Sequence, residues 1–464
     1  MIRTKLFLLL ALLATGVVTM AQRATPTLTL NSNPIFADKN DSITYARLRA
    51  LMNTTTQVTK ADGQRLDSLF NQLKEIQARS IGNRLVYRST RSFVTLEALL
   101  KKQVSPDTVT RLSIADYPGK SLPPAVLECI NLRELELVNT RLRALPAQLD
   151  KLVKLEGIYV YNNASGRHLK LGRNHHVRQL ILQGITQQNL PRNYKNFVRL
   201  DSLELSRNIG MREFPKISGN RNLVKLNLME NLITLKDLRR GNPTLRDLNL
   251  SRNRITRVPA AMGKFPAMRK LILNANEIAV VDPALAGLVS LENLGFYQNQ
   301  LTAIPPAVMS LTNLRTIDLY YNKISNLDPG IGRLQNLRVL YLSHNNLSEL
   351  PPSIGDLRLL EELYVHDNKL KSIPAEINQL SKLRVLRINN NFLYTLPDNL
   401  LPLQRLENLD VSHNYLFQFP DEWASLPKLQ VLGLMSNPWD DKEALGKVVN
   451  TLREKGITCI YAGN

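Results

Sequence analysis

Apolar residues return along this chain at a spacing longer than the period of a helix or a strand. The pattern Leu245, Leu248, Leu250, Asn253, Ile255 recurs as Leu337, Leu340, Leu342, Asn345, Leu347. Aligned segments start at residues 109, 132, 155, 177, 200, 223, 245, 268, 291, 314, 337, 360, 383, 406 and 429, a step of 23 residues with 22 in places. We number these repeats 1 to 15 and the positions within each from its first residue. Alternation at Leu360, Leu363 and Val365 predicts a short strand with these side chains inward, while Glu361, Glu362, Tyr364, His366 and Asp367 point outward. One strand per repeat stacks into a parallel sheet over a continuous core.

The ninth position is Asn in twelve repeats, from Asn163 to Asn437, and is Tyr117, Thr140 and Ile185 in the other three. An amide placed where the chain leaves the strand can satisfy backbone groups that the turn buries, so this Asn is expected to be structural and the three exceptional repeats less regular. The return half reads Leu350, Pro351, Ile354, Leu357 and again Ile373, Pro374, Ile377, Leu380. Proline there suits an extended segment or the first residue of a helical turn.

These motifs, over about three quarters of the chain, resemble the exported bacterial leucine-rich-repeat proteins of the Leu-Pro-x-x-Ile type. The resemblance implies an α/β solenoid of about 15 repeats with a parallel concave sheet, capped at both ends, that serves as a protein-binding scaffold. It names no partner. A bacterial origin follows from the same resemblance, because exported animal and plant relatives usually carry cysteine-rich caps.

The first residues read as a signal peptide, 1–21: Arg3 and Lys5, an apolar run from Leu6 to Val18, then Ala21. That run is too short for a permanent membrane span. No transmembrane segment is expected after cleavage, and the protein is expected to be exported to the periplasm, the cell surface or the medium. Residues 22–58 are expected to be partly flexible. A helical N-terminal cap is expected over 59–108, with Leu66, Leu69, Phe70, Leu73 and Ile76 on one face. The solenoid should then run over 109–438 and a C-terminal cap over 439–464, where Asp440 and Asp441 open a helix carrying Leu445, Val448, Val449 and Leu452 and Gly456 stops it. Cys129 and Cys459 lie near opposite ends of the repeats and are expected to be buried thiols too far apart to bridge.

Charge is uneven. Residues 151–270 hold 24 Lys and Arg against 7 Asp and Glu, or +17; residues 271–464 hold 16 against 20, or −4; the first 150 hold 20 against 12, or +8; together these give the net +21. A basic half could attract an anionic polysaccharide or lipid. Nucleic acid is not expected as a partner, because the aromatic interleaving that stacks bases is missing.

Repeats 9 to 12 place Tyr297, Tyr320, Tyr321, Tyr341 and Tyr364 with His344 and His366 on the outward strand face. Neighbouring strands lie about 4.8 Å apart, so one column of successive repeats forms a contiguous patch. Tyrosine brings contact area, a hydroxyl and little entropy loss, which marks these seven residues as the candidate binding site. Tyr159 and Tyr161 lie on the same face and could extend it.

No cofactor, metal site or catalytic residue is expected. His168, His175 and His176 cluster with Arg167, Lys170 and Arg173, but no nearby carboxylate or cysteine is evident to complete a ligand set. Gly119, Lys120 and Ser121 imitate the end of a phosphate-binding loop, yet Ile114 stands where its first glycine belongs. The expected function is therefore a non-catalytic protein-binding scaffold of the cell envelope or exterior. The alternative is a binder of anionic glycan or envelope lipid through repeats 3 to 8.

Overall fold

The computed structural model describes residues 93–461 apart from 209, 398 and 399. The signal peptide, the 22–58 segment and the helix expected from Leu66 to Ile76 lie outside these residues. The chain divides into two compact units. One contains the described residues up to Gln103 with Arg111–Ser113, and the other contains Val104–Thr110 and everything from Ile114 onward. In the first unit, strand Val94–Thr95 pairs in parallel with Leu112 and Ser113. Helix Leu96–Leu100 follows, its first turn capped by the Thr95 hydroxyl, which accepts from the Ala98 N–H at 3.2 Å.

The second unit carries the repeats. From Glu134–Val138 to Thr458–Ile460, fifteen strands pair in parallel, each with the next repeat along the chain and in unshifted register. Leu340 faces Ile317 on one side and Leu363 on the other. Leucines at positions 1, 4, 6 and 11 fill the interior: Leu337, Leu340, Leu342 and Leu347 are all 0% exposed. Each such side chain contributes about 1.5–3 kcal/mol of burial, so the stack is held by its leucines far more than by the short strands. The return halves are single 3-10 turns, such as Pro329–Arg333, Pro352–Asp356 and Ala375–Gln379, which bury Ile331, Ile354 and Ile377. Pro351 and Pro374 stand as the residues that open two of these turns.

Asparagine at position 9 ties the repeats together. Asn345 donates from Nδ2 to the carbonyls of Leu342 in its own repeat (2.9 Å) and Leu319 in the preceding one (2.9 Å), and its Oδ1 accepts from the Ile324 N–H (2.9 Å). The same three bonds recur in each repeat from Asn253 through Asn437. In the earlier repeats the pattern breaks. The Oδ1 of Asn208 and of Asn231 instead accepts the N–H of the position-9 residue of the preceding repeat, Ile185 and Asn208 respectively. The Thr140 hydroxyl and the Asn163 Oδ1 are buried without a hydrogen-bond partner. Around Thr140 and Ile185 the strands are five residues long, as in Glu134–Val138 and Gln179–Gln183, whereas from Ser202–Glu204 onward the sheet strands of successive repeats are three residues long.

After the last repeat, helix Lys442–Glu454 is capped by Asp441, which accepts from the Ala444 N–H at 2.8 Å, and buries Leu445, Val449 and Leu452. Gly456 (φ 84°) turns the chain into strand Thr458–Ile460, which pairs with Val431–Gly433. Cys129 and Cys459 are buried and unbridged, and burial raises the Cys129 thiol to about 11. Among the described residues no helix is long and apolar enough to cross a membrane.

Candidate functional site

Position 8 shapes the outward face. In all fifteen repeats this residue has a positive φ, running from Asp116 (53°) through Arg252 (56°), Tyr321 (55°), His344 (52°) and Asp367 (53°) to Ser436 (54°), and only Gly184 (64°) is a glycine. A left-handed residue breaks the strict in-out alternation of a strand, so positions 7 and 8 turn toward the same side. Tyr320 and Tyr321 are consecutive, yet their rings lie 4.6 Å apart, centroid to centroid, edge to face.

Repeats 9 to 12 use this geometry to assemble the seven candidate residues. Tyr297 stacks on Tyr320 at 5.8 Å and meets Tyr321 edge-on at 5.8 Å. Tyr321 lies flat on His344 (4.2 Å, 5°), and Tyr320 touches the edges of His344 (4.9 Å) and His366 (5.7 Å). Tyr341 and Tyr364, at position 5 of adjacent strands, stack at 4.8 Å, and Tyr364 reaches His366 at 6.4 Å. The Arg387 guanidinium sits 6.0 Å over the Tyr364 ring, within cation–π range. Tyr321 is 40% exposed, while the other six are half-buried by one another.

Polar groups hold the rings in place. The Tyr364 hydroxyl donates to Glu362 Oε2 at 3.0 Å. His366 Nδ1 is 2.8 Å from the buried Ser343 hydroxyl, and its Nε2 is 3.5 Å from the Tyr320 hydroxyl. Asp367 Oδ2 lies 3.3 Å from His344 Nε2 and 3.9 Å from His366 Nε2. Burial raises the phenols of Tyr297, Tyr320, Tyr341 and Tyr364 above their ordinary range, helped at Tyr320 by Tyr321 and at Tyr364 by Glu362, so the cluster presents neutral hydroxyls. Burial also lowers His366. Beside Tyr341 in the position-5 column, burial pushes the Asp318 carboxyl up to about 6, although its Oδ1 accepts the Tyr320 N–H at 3.1 Å.

Other candidates fare differently. Tyr159 and Tyr161 occupy positions 5 and 7 of repeat 3, and the residues at those positions in repeats 4 to 8 are Ile181, Gln183, Glu204, Ser206, Asn227, Met229, Asn249, Ser251, Ile272 and Asn274. The pair therefore does not extend the patch. The expectation that no carboxylate accompanies His175 and His176 is overturned: Asp150 Oδ2 is 2.8 Å from His175 Nδ1, and Asp150 Oδ1 is 3.7 Å from His176 Nε2. Stacking by one repeat brings a residue 25 positions upstream alongside, which linear inspection of the loop does not show. In the basic half, Arg178 pairs with Asp201 (2.7 Å), and Arg207 (2.7 Å) and Arg252 (3.2 Å) share Glu230, so part of its excess charge is internally matched.

A second aromatic patch escaped the sequence reading. Phe392 and Tyr415, at position 10 of repeats 13 and 14, stack at 6.0 Å, and Tyr394 joins Tyr415 at 5.5 Å. Exposure of 42%, 46% and 54% leaves these rings open to solvent. Aromatics at one repeat position in consecutive repeats are the signal the sequence carries for this patch, at position 10 and so outside the strand columns.

A family model described as a leucine-rich repeat region matches residues 322–455, and one described as two copies of leucine-rich repeats matches 289–330. No curated protein matches the chain in sequence. Among solved structures, a leucine-rich-repeat protein of Leptospira interrogans is 27% identical with a TM-score of 0.60, covering 78% of this chain and 97% of its own. The leucine-rich-repeat ectodomain of an Arabidopsis thaliana membrane receptor kinase is 25% identical with a TM-score of 0.53; the match covers 70% of this chain but only 41% of the receptor chain. An internalin of Listeria monocytogenes is 23% identical with a TM-score of 0.50, covering 77% of this chain and 94% of its own. Repeat period, unshifted parallel ladder, asparagine bonds and these likenesses agree: the chain is built of leucine-rich repeats and has the fold of a leucine-rich-repeat solenoid.

Proposed function

We propose that this protein is a non-catalytic scaffold that binds a protein partner, with the tyrosine and histidine cluster of repeats 9 to 12 on the concave sheet face as the contact surface. The observation that carries this reading is the interlocked set of Tyr297, Tyr320, Tyr321, Tyr341, Tyr364, His344 and His366 on the outward face of a rigid sheet. Rings already held by their neighbours lose little entropy on docking, and their hydroxyls offer directional bonds. The Arabidopsis receptor ectodomain, solved in complex with CASPARIAN STRIP INTEGRITY FACTOR 2, is a precedent for partner binding by this fold. The reading includes export to the cell envelope or exterior, which rests on the apolar run Leu6 to Val18.

The +17 excess over residues 151–270 favours a second reading, binding of an anionic glycan or envelope lipid by repeats 3 to 8. A pull-down with the purified chain from envelope and culture extracts at low and high salt separates the two. A protein retained at both salts and lost when Tyr320, Tyr341 and Tyr364 are together changed to Ala supports the tyrosine face. Glycan or lipid that elutes with salt and ignores those changes transfers the function to the basic repeats.

A further inference from the structure

His344, His366 and Asp367 each offer one ligand atom, and the three atoms lie within 4.8 Å of one another. We propose that these residues form a binding site for a divalent transition-metal ion, Zn2+ being the ion their chemistry suits best. The inference goes beyond the partner reading and stands without any partner present.

Two imidazoles and one carboxylate are a common protein ligand set for zinc, leaving a fourth position open. Tetrahedral bonds of about 2.0–2.1 Å place ligand atoms roughly 3.3 Å apart. Asp367 Oδ2 is 3.3 Å from His344 Nε2 and 3.9 Å from His366 Nε2, and all three ligand atoms lie within 4.8 Å, so closure onto an ion draws the imidazoles together by side-chain rotation on a fixed backbone. The scaffold is already fixed: the His344 N–H donates to the His366 carbonyl at 3.1 Å and the Asp367 N–H to the Asn389 carbonyl at 3.1 Å. Metal on His366 Nε2 requires the ring proton on Nδ1, and Ser343 Oγ, 2.8 Å away, is placed to accept it. The His344 ring is braced by Tyr321 at 4.2 Å. At 3.5 Å the Tyr320 hydroxyl makes only a weak competing bond to His366 Nε2. Metal binding requires both imidazoles without their ligand-site protons, and the carboxylate then supplies a negative charge opposite the dication. His344 and Asp367 are about one-third exposed, which leaves the ion a route in.

The test is a Co2+ titration of the full chain followed in the visible region, with Zn2+ competition. The expected result is one saturable equivalent with the strong d–d absorption of a low-coordinate ion, displaced by Zn2+. Affinity should fall at least tenfold in His366→Ala and in Asp367→Asn, and stay unchanged when His175 and His176 are both replaced by Ala. Far-UV circular dichroism checks that each variant keeps its fold. Ser343→Ala keeps every ligand and serves where a ligand variant unfolds; it should weaken binding by about tenfold. Absence of saturable binding by the unaltered chain overturns the proposal, as does affinity unaffected in the folded variants. Either failure leaves the protein-partner reading standing, since that is read from retained protein with no metal added.

Discussion

The Tyr321 ring lies flat against the His344 imidazole, 4.2 Å between centroids and 5° between planes, and both residues hold left-handed backbone at φ 55° and 52°. They occupy position 8 of adjacent repeats, where the backbone orients both side chains toward the same outward face. Every repeat holds position 8 in this conformation, so two rings placed there in adjacent repeats are brought face to face by the backbone that the stack already requires.

The stacked pair should therefore be energetically coupled. A double-mutant cycle of Tyr321→Ala and His344→Ala, read by chemical denaturation without added metal, is expected to give an interaction of about 0.5–1.5 kcal/mol. A cycle that closes to within experimental error would show that the stacking contributes nothing.

Left-handed backbone at position 8 sets a residue preference that can be measured. Ala275 has φ 54°, and its N–H donates to the Tyr297 carbonyl at 2.7 Å. Ala275→Gly relieves the backbone and should stabilise by up to about 1 kcal/mol, while Ala275→Val, with a β-branched side chain, should destabilise by more than about 1 kcal/mol. Equal melting temperatures for the two variants would contradict the assigned conformation.

The asparagine bonds predict a steep and local cost. Asn345→Ala removes donors to Leu342 and Leu319 and the acceptor for Ile324, all buried, and should destabilise by about 3 kcal/mol or more. Thr140 holds the corresponding position in repeat 2 without hydrogen-bonding its hydroxyl, so Thr140→Val should cost far less. Thermal melts of the two variants test the contrast.

Asp318 gives a pH signature. Its folded-state value of about 6 lies above the ordinary 3.8, so the folded chain holds this proton more tightly than the unfolded chain. Its contribution to stability is favourable below about 4 and declines as pH rises from 4 through 6. Asp318→Asn should be more stable than the unaltered chain above pH 7, by about 1–3 kcal/mol, with the gap closing near pH 4. Asn249 makes the same bond in its own repeat, accepting the Ser251 N–H at 3.0 Å, so an amide fits this position. Comparing the two proteins at each pH separates Asp318 from His366, whose lowered value acts in the opposite direction. Parallel pH curves would refute the assignment.

The repeat period, the inward leucines, the structural role of the position-9 asparagine and the outward column of tyrosines were all legible in the chain, because each follows from spacing within one repeat or its exact recurrence. Three features were decided only in the tertiary structure. Tyr320 and Tyr321 share a face because position 8 is left-handed, and nothing in residues as different as Gln298, Tyr321 and Asp367 announces that conformation, which the stacked neighbours impose. Asp150 meets His175, and Asp367 meets His344, because stacking converts a separation of 23 to 25 residues into direct contact. The break in the asparagine bonds before repeat 7 is set by how successive turns align, since Asn208 and Asn231 carry the same side chain as Asn253 yet bind a different N–H. A single repeat determines which side chains face the core and which face water; only the stack determines which of the outward ones meet.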